Sequence, residues 1–340
     1  MYSLLRPLFF RLPPETAHHL TLQTLKILER LKLTHLFFGQ IPAKPCTVMG
    51  LTFPNPVGLA AGLDKNAECL DGFAALGFGF IEVGTVTPRP QPGNPPPRLF
   101  RLPQAEALIN RMGFNNQGVE QLLGNIQKAH FGGILGINLG KNIDTPLEHA
   151  LDDYLSGLHK VYAYADYVAI NLSSPNTPGL RQLQQGEELE SLLNALKQAQ
   201  QQLAIQHRKY VPLVIKIAPD LTPAELSMMA KKFLAYRIDG VIATNTTLSR
   251  VGVENLPHAN EKGGLSGAPL AKQATQIVRQ LNDTLQGQIP IIASGGIMSA
   301  ADAQDKMEAG ASLVQIYTGL IYKGPALLRE IVSEKDRELK

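Results

Sequence analysis

A chain of 340 residues, 44% apolar and 18% charged, has ample material for a buried core, and one α/β barrel with an appendage accounts for its length. A formal net charge of +3 is too small to argue for a nucleic-acid partner, which needs a clustered basic face. Two cysteines, Cys46 and Cys69, match no metal-ligand spacing, so no metal is expected, and two thiols in a chain this long are expected to be reduced and inert.

The apolar runs fall far short of the roughly 20 residues that a membrane-spanning helix needs. At the N-terminus Arg6, Pro7 and Arg11 interrupt the apolar residues, so no signal-peptide core of adequate length exists. Two short amphipathic segments remain. The first carries Leu4, Leu5, Leu8 and Phe9. The second opens on the helix-start signal Pro13-Pro14-Glu15-Thr16 and continues with Leu20, Leu25, Leu28 and Leu31 beside Lys26, Arg30 and Lys32. Either the pair is a helical hairpin packed on its own domain, or it lies in a membrane interface with basic residues meeting anionic head groups. A linker-like stretch at 39–47 follows, which divides the chain into an amphipathic helical segment over 1–40 and a catalytic domain over 41–340.

Beyond the linker, eight short apolar runs alternate with helix-like stretches: 57–60, 80–84, 134–139, 166–172, 212–217, 238–244, 289–293 and 312–316. They are nearly continuous in apolar character and rich in Val and Ile, as strands buried on both faces should be. Eight such runs predict a closed parallel (β/α)₈ TIM barrel with a small N-terminal helical extension. Each run ends in small, amide, hydroxyl or cationic residues. In order these are Ala60-Ala61-Gly62, Gly84-Thr85, Asn138, Asn171, Lys216, Thr244-Asn245, Gly295-Gly296 and Tyr317-Thr318. That pattern marks the C-terminal rim, where barrels build their sites. The proline-rich stretch 87–97 reads as a stiff rim loop in preference to a polyproline docking ligand.

Three glycine-rich turns are expected at 263–267, 294–297 and 317–319, each following one of the last three strands. Glycine lets bare backbone N–H groups approach a phosphate, although tight turns are also its ordinary use. Lys216 sits inside the apolar run VIKI, where its charge must be compensated or its proton lost. It either pairs with a buried carboxylate, forms a Schiff base, or holds negative charge on a reduced flavin. The segment 171–180 adds two asparagines, two serines and a threonine directly after the fourth strand. With Asn110, Asn115 and Asn245 it offers amides that match the alternating N–H and C=O edges of a pyrimidine, and Lys65 adds a cation for a carboxylate.

Segments 57–65 (VGLAAGLDK), 84–90 (GTVTPRP), 110–116 (NRMGFNN), 171–179 (NLSSPNTPG), 214–219 (VIKIAP), 244–247 (TNTT), 263–267 (GGLSG) and 313–319 (LVQIYTG) resemble the class 2 dihydroorotate dehydrogenases, from about residue 42 to 330. The preceding helices resemble the class 2 membrane extension. One mild departure is Ser294, where relatives often carry a bulkier residue. The resemblance implies FMN contacts at Ala61, Gly62, Lys65, Thr85, Asn138, Asn171, Lys216, Thr244, Gly267, Gly296, Tyr317 and Thr318. It implies substrate contacts at Lys65, Asn110, Arg111, Met112, Gly113, Phe114, Asn171, Asn176, Asn245 and Thr246. Ser174 matches the catalytic base, where soluble class 1 members carry cysteine. That serine and the helices favour quinone as electron acceptor, with His18, Arg101 and Tyr317 near its tunnel.

The implied reaction oxidises dihydroorotate to orotate in pyrimidine biosynthesis, in two half-reactions, with Lys216 stabilising the reduced flavin. The implied setting is peripheral association with the cytoplasmic face of the inner membrane, as a monomer. Three rivals differ in kind. A dihydrouridine synthase acting on tRNA lacks support from a basic excess; a Schiff-base aldolase would use Lys216; a non-enzymatic membrane-docking module would use only the N-terminal helices.

Overall fold

A computed structural model describes residues 2–34 and 41–334; the expected boundary at residue 40, and the first two residues of the 39–47 linker, lie outside the described residues. The eight apolar runs form the eight strands of a closed barrel. In chain order these are β3 (Val57–Leu59), β4 (Phe80–Val86), β7 (Ile134–Leu139), β8 (Tyr167–Asn171), β9 (Leu213–Ile217), β10 (Gly240–Ala243), β12 (Ile291–Ser294) and β13 (Leu313–Ile316). All neighbours pair in parallel, and β13 closes on β3 through Val314↔Val57. Helices cover the outer face and the interior is filled with side chains, so every residue of β4, β8 and β9 is buried.

The end of the barrel away from the rim is plugged. A hairpin of β1 (Cys46–Val48) and β2 (Leu51–Phe53) pushes Phe53 against Phe80 with ring centroids 5.2 Å apart, and Phe80 meets Tyr167 at 6.3 Å. Val214, Ile242, Ile292 and Leu313 complete this apolar layer. Any ligand site within the barrel is thereby confined to the opposite rim.

Over that rim lies an antiparallel sheet of β5 (Leu99–Leu102), β6 (Ala107–Asn110) and β11 (Gly264–Gly267). Residues 263–267 are therefore largely an edge strand and not the simple turn expected from their glycines. The proline-rich stretch 87–97 is a rim loop, as expected. Gln91 in it donates to Gly113 O at 2.9 Å, and Asn142 donates to Thr87 Oγ1 and Gln91 Oε1 at 3.1 and 2.9 Å.

The two N-terminal segments are α1 (Tyr2–Arg11) and α2 (Pro14–Arg30), the second starting on the expected proline. Helix α2 buries Ala17, Leu22 and Leu25 against the barrel. Glu15 forms a two-pronged ion pair with Arg98, and Arg101 donates to the carbonyls of Phe9, Phe10 and Leu12. The opposite face stays bare, with Leu4 79%, Leu8 58% and Leu31 60% exposed. The pair thus packs on its domain along one face and leaves a second apolar face uncovered. No described helix is long and apolar enough to cross a membrane.

Candidate active site

The C-terminal ends of the barrel strands and the loops above them enclose a cleft of about 1020 Å³, its mouth included. Strand ends supply Ala61, Gly62, Thr85, Asn171, Lys216, Thr244, Gly296, Tyr317 and Thr318 to its wall. Loops and the sheet over the rim bring Lys65, Asn110, Met112, Gly113, Phe114, Ser174, Asn176, Asn245, Thr246 and Gly267 to the same space. Most residues expected at a cofactor or substrate site therefore meet, although they are spread over more than 250 positions of chain.

Beneath the cleft floor a buried polar network crosses the barrel. Glu82, fully buried on β4, accepts hydrogen bonds from Asn138 Nδ2 at 2.8 Å, Tyr167 Oη at 2.8 Å and Gln315 Nε2 at 2.7 Å. The Nζ of Lys216 lies 3.9 Å from Glu82 Oε1. Of the alternatives open for Lys216, pairing with a buried carboxylate is therefore realised, and the partner is Glu82. Burial pushes the Lys216 ammonium below its ordinary range, and Glu82 opposes that shift. The network continues upward: Thr85 Oγ1 donates to Asn138 Oδ1 at 2.5 Å, and Asn171 Nδ2 donates to Thr85 Oγ1 at 3.0 Å. Asn138 thus lies under the cleft, where it holds Thr85 and Asn171 without lining the wall.

The two serines after β8 have different surroundings. Ser173 Oγ is engaged at 3.0 Å with both Asn171 Oδ1 and Asn245 Nδ2 and faces into the network. Ser174 lines the cleft, is 5% exposed, and its Oγ accepts from the backbone N–H of Asn176 at 3.2 Å. Across the cleft Asn176 Nδ2 donates to Asn110 O at 3.2 Å, which ties the 110–114 segment to this loop. Arg111 turns away from the site. It pairs with Glu261 at 2.6 Å and stacks 4.7 Å from the Phe100 ring.

Charge and backbone shape mark two features of the cleft lining. Burial, and next the neighbouring Arg98, push the Lys65 ammonium down to about 8. In the same lining Gly267 (φ 100°) and Gly296 (φ 74°) hold backbone against backbone. A Cβ on the first would stand 2.3 Å from Glu106 O, and one on the second 2.2 Å from Ala271 Cα. Hydroxyls lie beside them, with Ser266 Oγ and Thr318 Oγ1 2.9 Å apart.

Tyr317 joins the cleft to an apolar cluster of Phe10, Leu99, Leu108, Met298, Ile321 and Tyr322, between α1 and the β5–β6 sheet. Burial lifts its phenol to about 12. Arg101 stacks 4.7 Å from the Phe10 ring in this region. His18, on α2, is pushed down to about 3, first by burial and then by Lys65 and His19.

Glu82, Gln315 and Tyr167 were not singled out from the sequence. Glu82 carried a legible signal, since a charge inside the apolar run FIEVG is the same anomaly that marked Lys216. Gln315 and Tyr167 carried none, because both residue types are ordinary in a strand.

The family described as dihydroorotate dehydrogenase matches residues 45–339. The chain is 62% identical over 331 residues to the dihydroorotate dehydrogenase (quinone) of Nitrosospira multiformis, covering 97% of this chain and 94% of that one. It is 60% identical to the enzyme of the same name from Pseudomonas aeruginosa, over 98% and 97% of the two chains. Among solved structures, a ligand-free DHODH from Eimeria tenella superposes with a TM-score of 0.85 at 40% identity, covering 94% of this chain and 93% of that one.

Proposed function

The chain belongs to the dihydroorotate dehydrogenase family, and from that premise we propose that the rim cleft binds FMN and dihydroorotate together and passes electrons on to a membrane quinone. The protein is an oxidoreductase, a quinone-dependent dihydroorotate dehydrogenase of pyrimidine biosynthesis, and its family is flavin-dependent. The observation that carries the site assignment is the meeting in one cleft of Ser174, Lys65 and four amides with Lys216 and the Gly267–Gly296 backbones.

The residues suit FMN. Gly267 and Gly296 line the cleft with their Cβ positions taken by the Glu106 and Ala271 backbones, which brings their peptide groups and the hydroxyls of Ser266 and Thr318 together in the wall, the kind of group a phosphate needs. On the floor the buried Gln315 Oε1 has no hydrogen-bond partner among the described residues, and Lys216 presents a cation in the same lining; both match the polar edge of a flavin ring. Ala61, Gly62, Lys65, Thr85, Asn171, Thr244 and Tyr317 complete the binding set, and Asn138 supports it from below. When bound, FMN supplies the hydride acceptor.

The remaining chemistry is done by side chains of the chain. Lys65 neutralises the substrate carboxylate. Asn110, Asn171, Asn176 and Asn245 both donate and accept, as the pyrimidine N–H and C=O edges require, with Met112, Gly113, Phe114 and Thr246 closing the pocket. Oxidation removes a proton from C5 and a hydride from C6. Ser174 takes the C5 proton as its own hydroxyl proton passes on to solvent water, and the Asn176 N–H donated to its Oγ stabilises the negative charge that gathers there in between. Lys216 keeps positive charge at the floor, which favours a carrier taking up electrons.

Quinone reaches the cleft through the apolar cluster that ends at Tyr317, between α1 and the β5–β6 sheet and flanked by His18 and Arg101. The bare leucines of α1 and α2 rest in the bilayer interface, placing residues 1–40 as a membrane and quinone-access segment on a barrel of residues 41–340. The setting is peripheral, at the cytoplasmic face of the inner membrane, with the chain monomeric.

Stopped-flow spectroscopy on Ser174→Ala tests this reading. The purified protein is expected to be yellow and to release all its FMN in acid. The variant should still bind FMN and orotate, yet bleach under dihydroorotate roughly 10²–10⁴-fold more slowly. Reoxidation by quinone should be untouched, since it needs no base at C5. Bleaching at the parental rate would reduce Ser174 to a lining residue.

A further inference from the structure

We infer that Arg181 is a positioning residue of this reaction: its guanidinium ties the loop bearing Ser174 to the loop bearing Asn245 and Thr246. The inference rests on the functional reading above. Arg181 lies in a short 3-10 turn, Leu180–Gln184, beyond the cleft wall. Its Nε donates to Ser173 O at 3.0 Å, its Nη2 to Thr246 O at 3.1 Å, and its Nη1 to Asp220 Oδ2 at 2.8 Å. Asp220, in the loop after β9, also accepts from the Thr247 hydroxyl and from Leu248 N–H. One arginine and one aspartate therefore lock three successive rim loops, those after β8, β9 and β10.

The geometry explains why the fork matters. Ser173 O belongs to the peptide group that joins Ser173 to Ser174, so the hydrogen bond from Nε fixes the plane from which the Ser174 side chain departs. The same guanidinium fixes the carbonyl of Thr246, whose N–H donates to Asn245 Oδ1 at 2.8 Å, while Asn245 Nδ2 donates to Ser173 Oγ at 3.0 Å. The result is a ring of bonds around one corner of the substrate pocket, closed by Arg181. Arg181 and Asp220 are each only 22% exposed at the side chain, so their charge-assisted bond is largely sheltered from solvent and holds the guanidinium in place. The planar fork supplies geometry, and lysine cannot replace it because a single ammonium on a flexible stem does not hold both carbonyls and the carboxylate at set angles.

The test compares Arg181→Ala and Arg181→Lys with the parent, all as FMN-loaded full chains. Bleaching under saturating dihydroorotate should slow by about 10–10²-fold in both variants, the scale expected when a reacting group is misplaced by about an ångström. KM should move only a few-fold, and reoxidation by quinone should stay at the parental rate. Added guanidinium ion should restore part of the bleaching rate to Arg181→Ala and none to Arg181→Lys, whose side chain fills the space; a general loss of packing would show no such rescue. Arg181→Lys bleaching as fast as the parent would overturn the inference, and so decides the question even if Arg181→Ala does not fold. A parent that fails to bleach under dihydroorotate would overturn the substrate assignment and this inference together, whereas a fast lysine variant beside an active parent overturns the inference alone.

Discussion

Replacing Lys216 with methionine strips Glu82 of its cation at the cleft floor, and the structure sets the size of the effect. At 3.9 Å two unit charges attract by about 4 kcal/mol at an effective dielectric of about 20. Lys216 is 6% exposed and Glu82 0%, so a desolvation penalty of several kcal/mol per ion offsets most of that attraction. The pair is worth little net, yet removing one partner costs roughly 3–5 kcal/mol because it leaves a buried charge uncompensated. Three donors remain on Glu82, which puts Lys216→Met at the low end, about 3 kcal/mol. Glu82→Gln turns an amide nitrogen toward one of those donors, at a cost of about 1–3 kcal/mol, and also leaves the lysine unpaired. The double variant buries neither charge and keeps only the amide conflict. Its loss should therefore fall short of the sum of the single losses by about 3 kcal/mol or more. Urea unfolding followed by far-UV circular dichroism, with refolding checked, measures the three losses at pH 7. Additivity to within about 0.5 kcal/mol would refute the coupling. A Lys216→Met variant as stable as the parent would show that no charge is being compensated.

Lys65, lowered to about 8, is charged below that pH and neutral above it, so the substrate carboxylate loses its cation as pH rises. KM for dihydroorotate should climb about tenfold per pH unit above about 8, and a KM flat to pH 9.5 in a dye-reduction assay would remove Lys65 from that role. Gly296→Ala puts a Cβ 2.2 Å from Ala271 Cα at a φ of 74°, and the strain and overlap together amount to roughly 2–5 kcal/mol. Relief comes from moving the loop, so FMN affinity should drop by about 30-fold or more by fluorescence titration; unchanged affinity would take this turn out of the phosphate site. The double change Leu4→Glu, Leu8→Glu alters side chains 79% and 58% exposed, so the melting temperature should hold while sedimentation with anionic liposomes is lost. Undiminished sedimentation would place membrane contact elsewhere.

The barrel was legible because its signal is local. Each strand from β3 to β13 that enters it is a short apolar run, and burial on both faces dictates that run whatever its neighbours are. The residues that end the runs were legible for the same reason: barrel closure sends every strand end to one rim, so Thr85, Asn171, Lys216 and Thr318 could be grouped without knowing any contact. Pro14 at the start of α2 and the stiff loop at 87–97 likewise follow from the chemistry of single residues.

What the sequence left open are choices between groups of equal local merit and pairings far apart in the chain. Ser173 and Ser174 are adjacent and chemically alike; only the hydrogen bonds from Asn245 and Asn176 show which one faces the cleft. Lys216 announced a need for compensation without naming its partner, and Glu82 lies three barrel strands and 134 positions away from it. The β5–β6–β11 sheet pairs Ala107 with Gly267, a match of register that no nearby residue encodes. The N-terminal helices show the same division: their amphipathic pattern foretold an apolar face, whereas Glu15 and Arg101 decided which face docks and which stays bare. Local sequence determines where a residue must be buried or exposed, because burial acts on each side chain in turn. Which side chain then meets which is settled by closure of the barrel and docking of the helices, since those contacts exist only when distant segments have already been brought together.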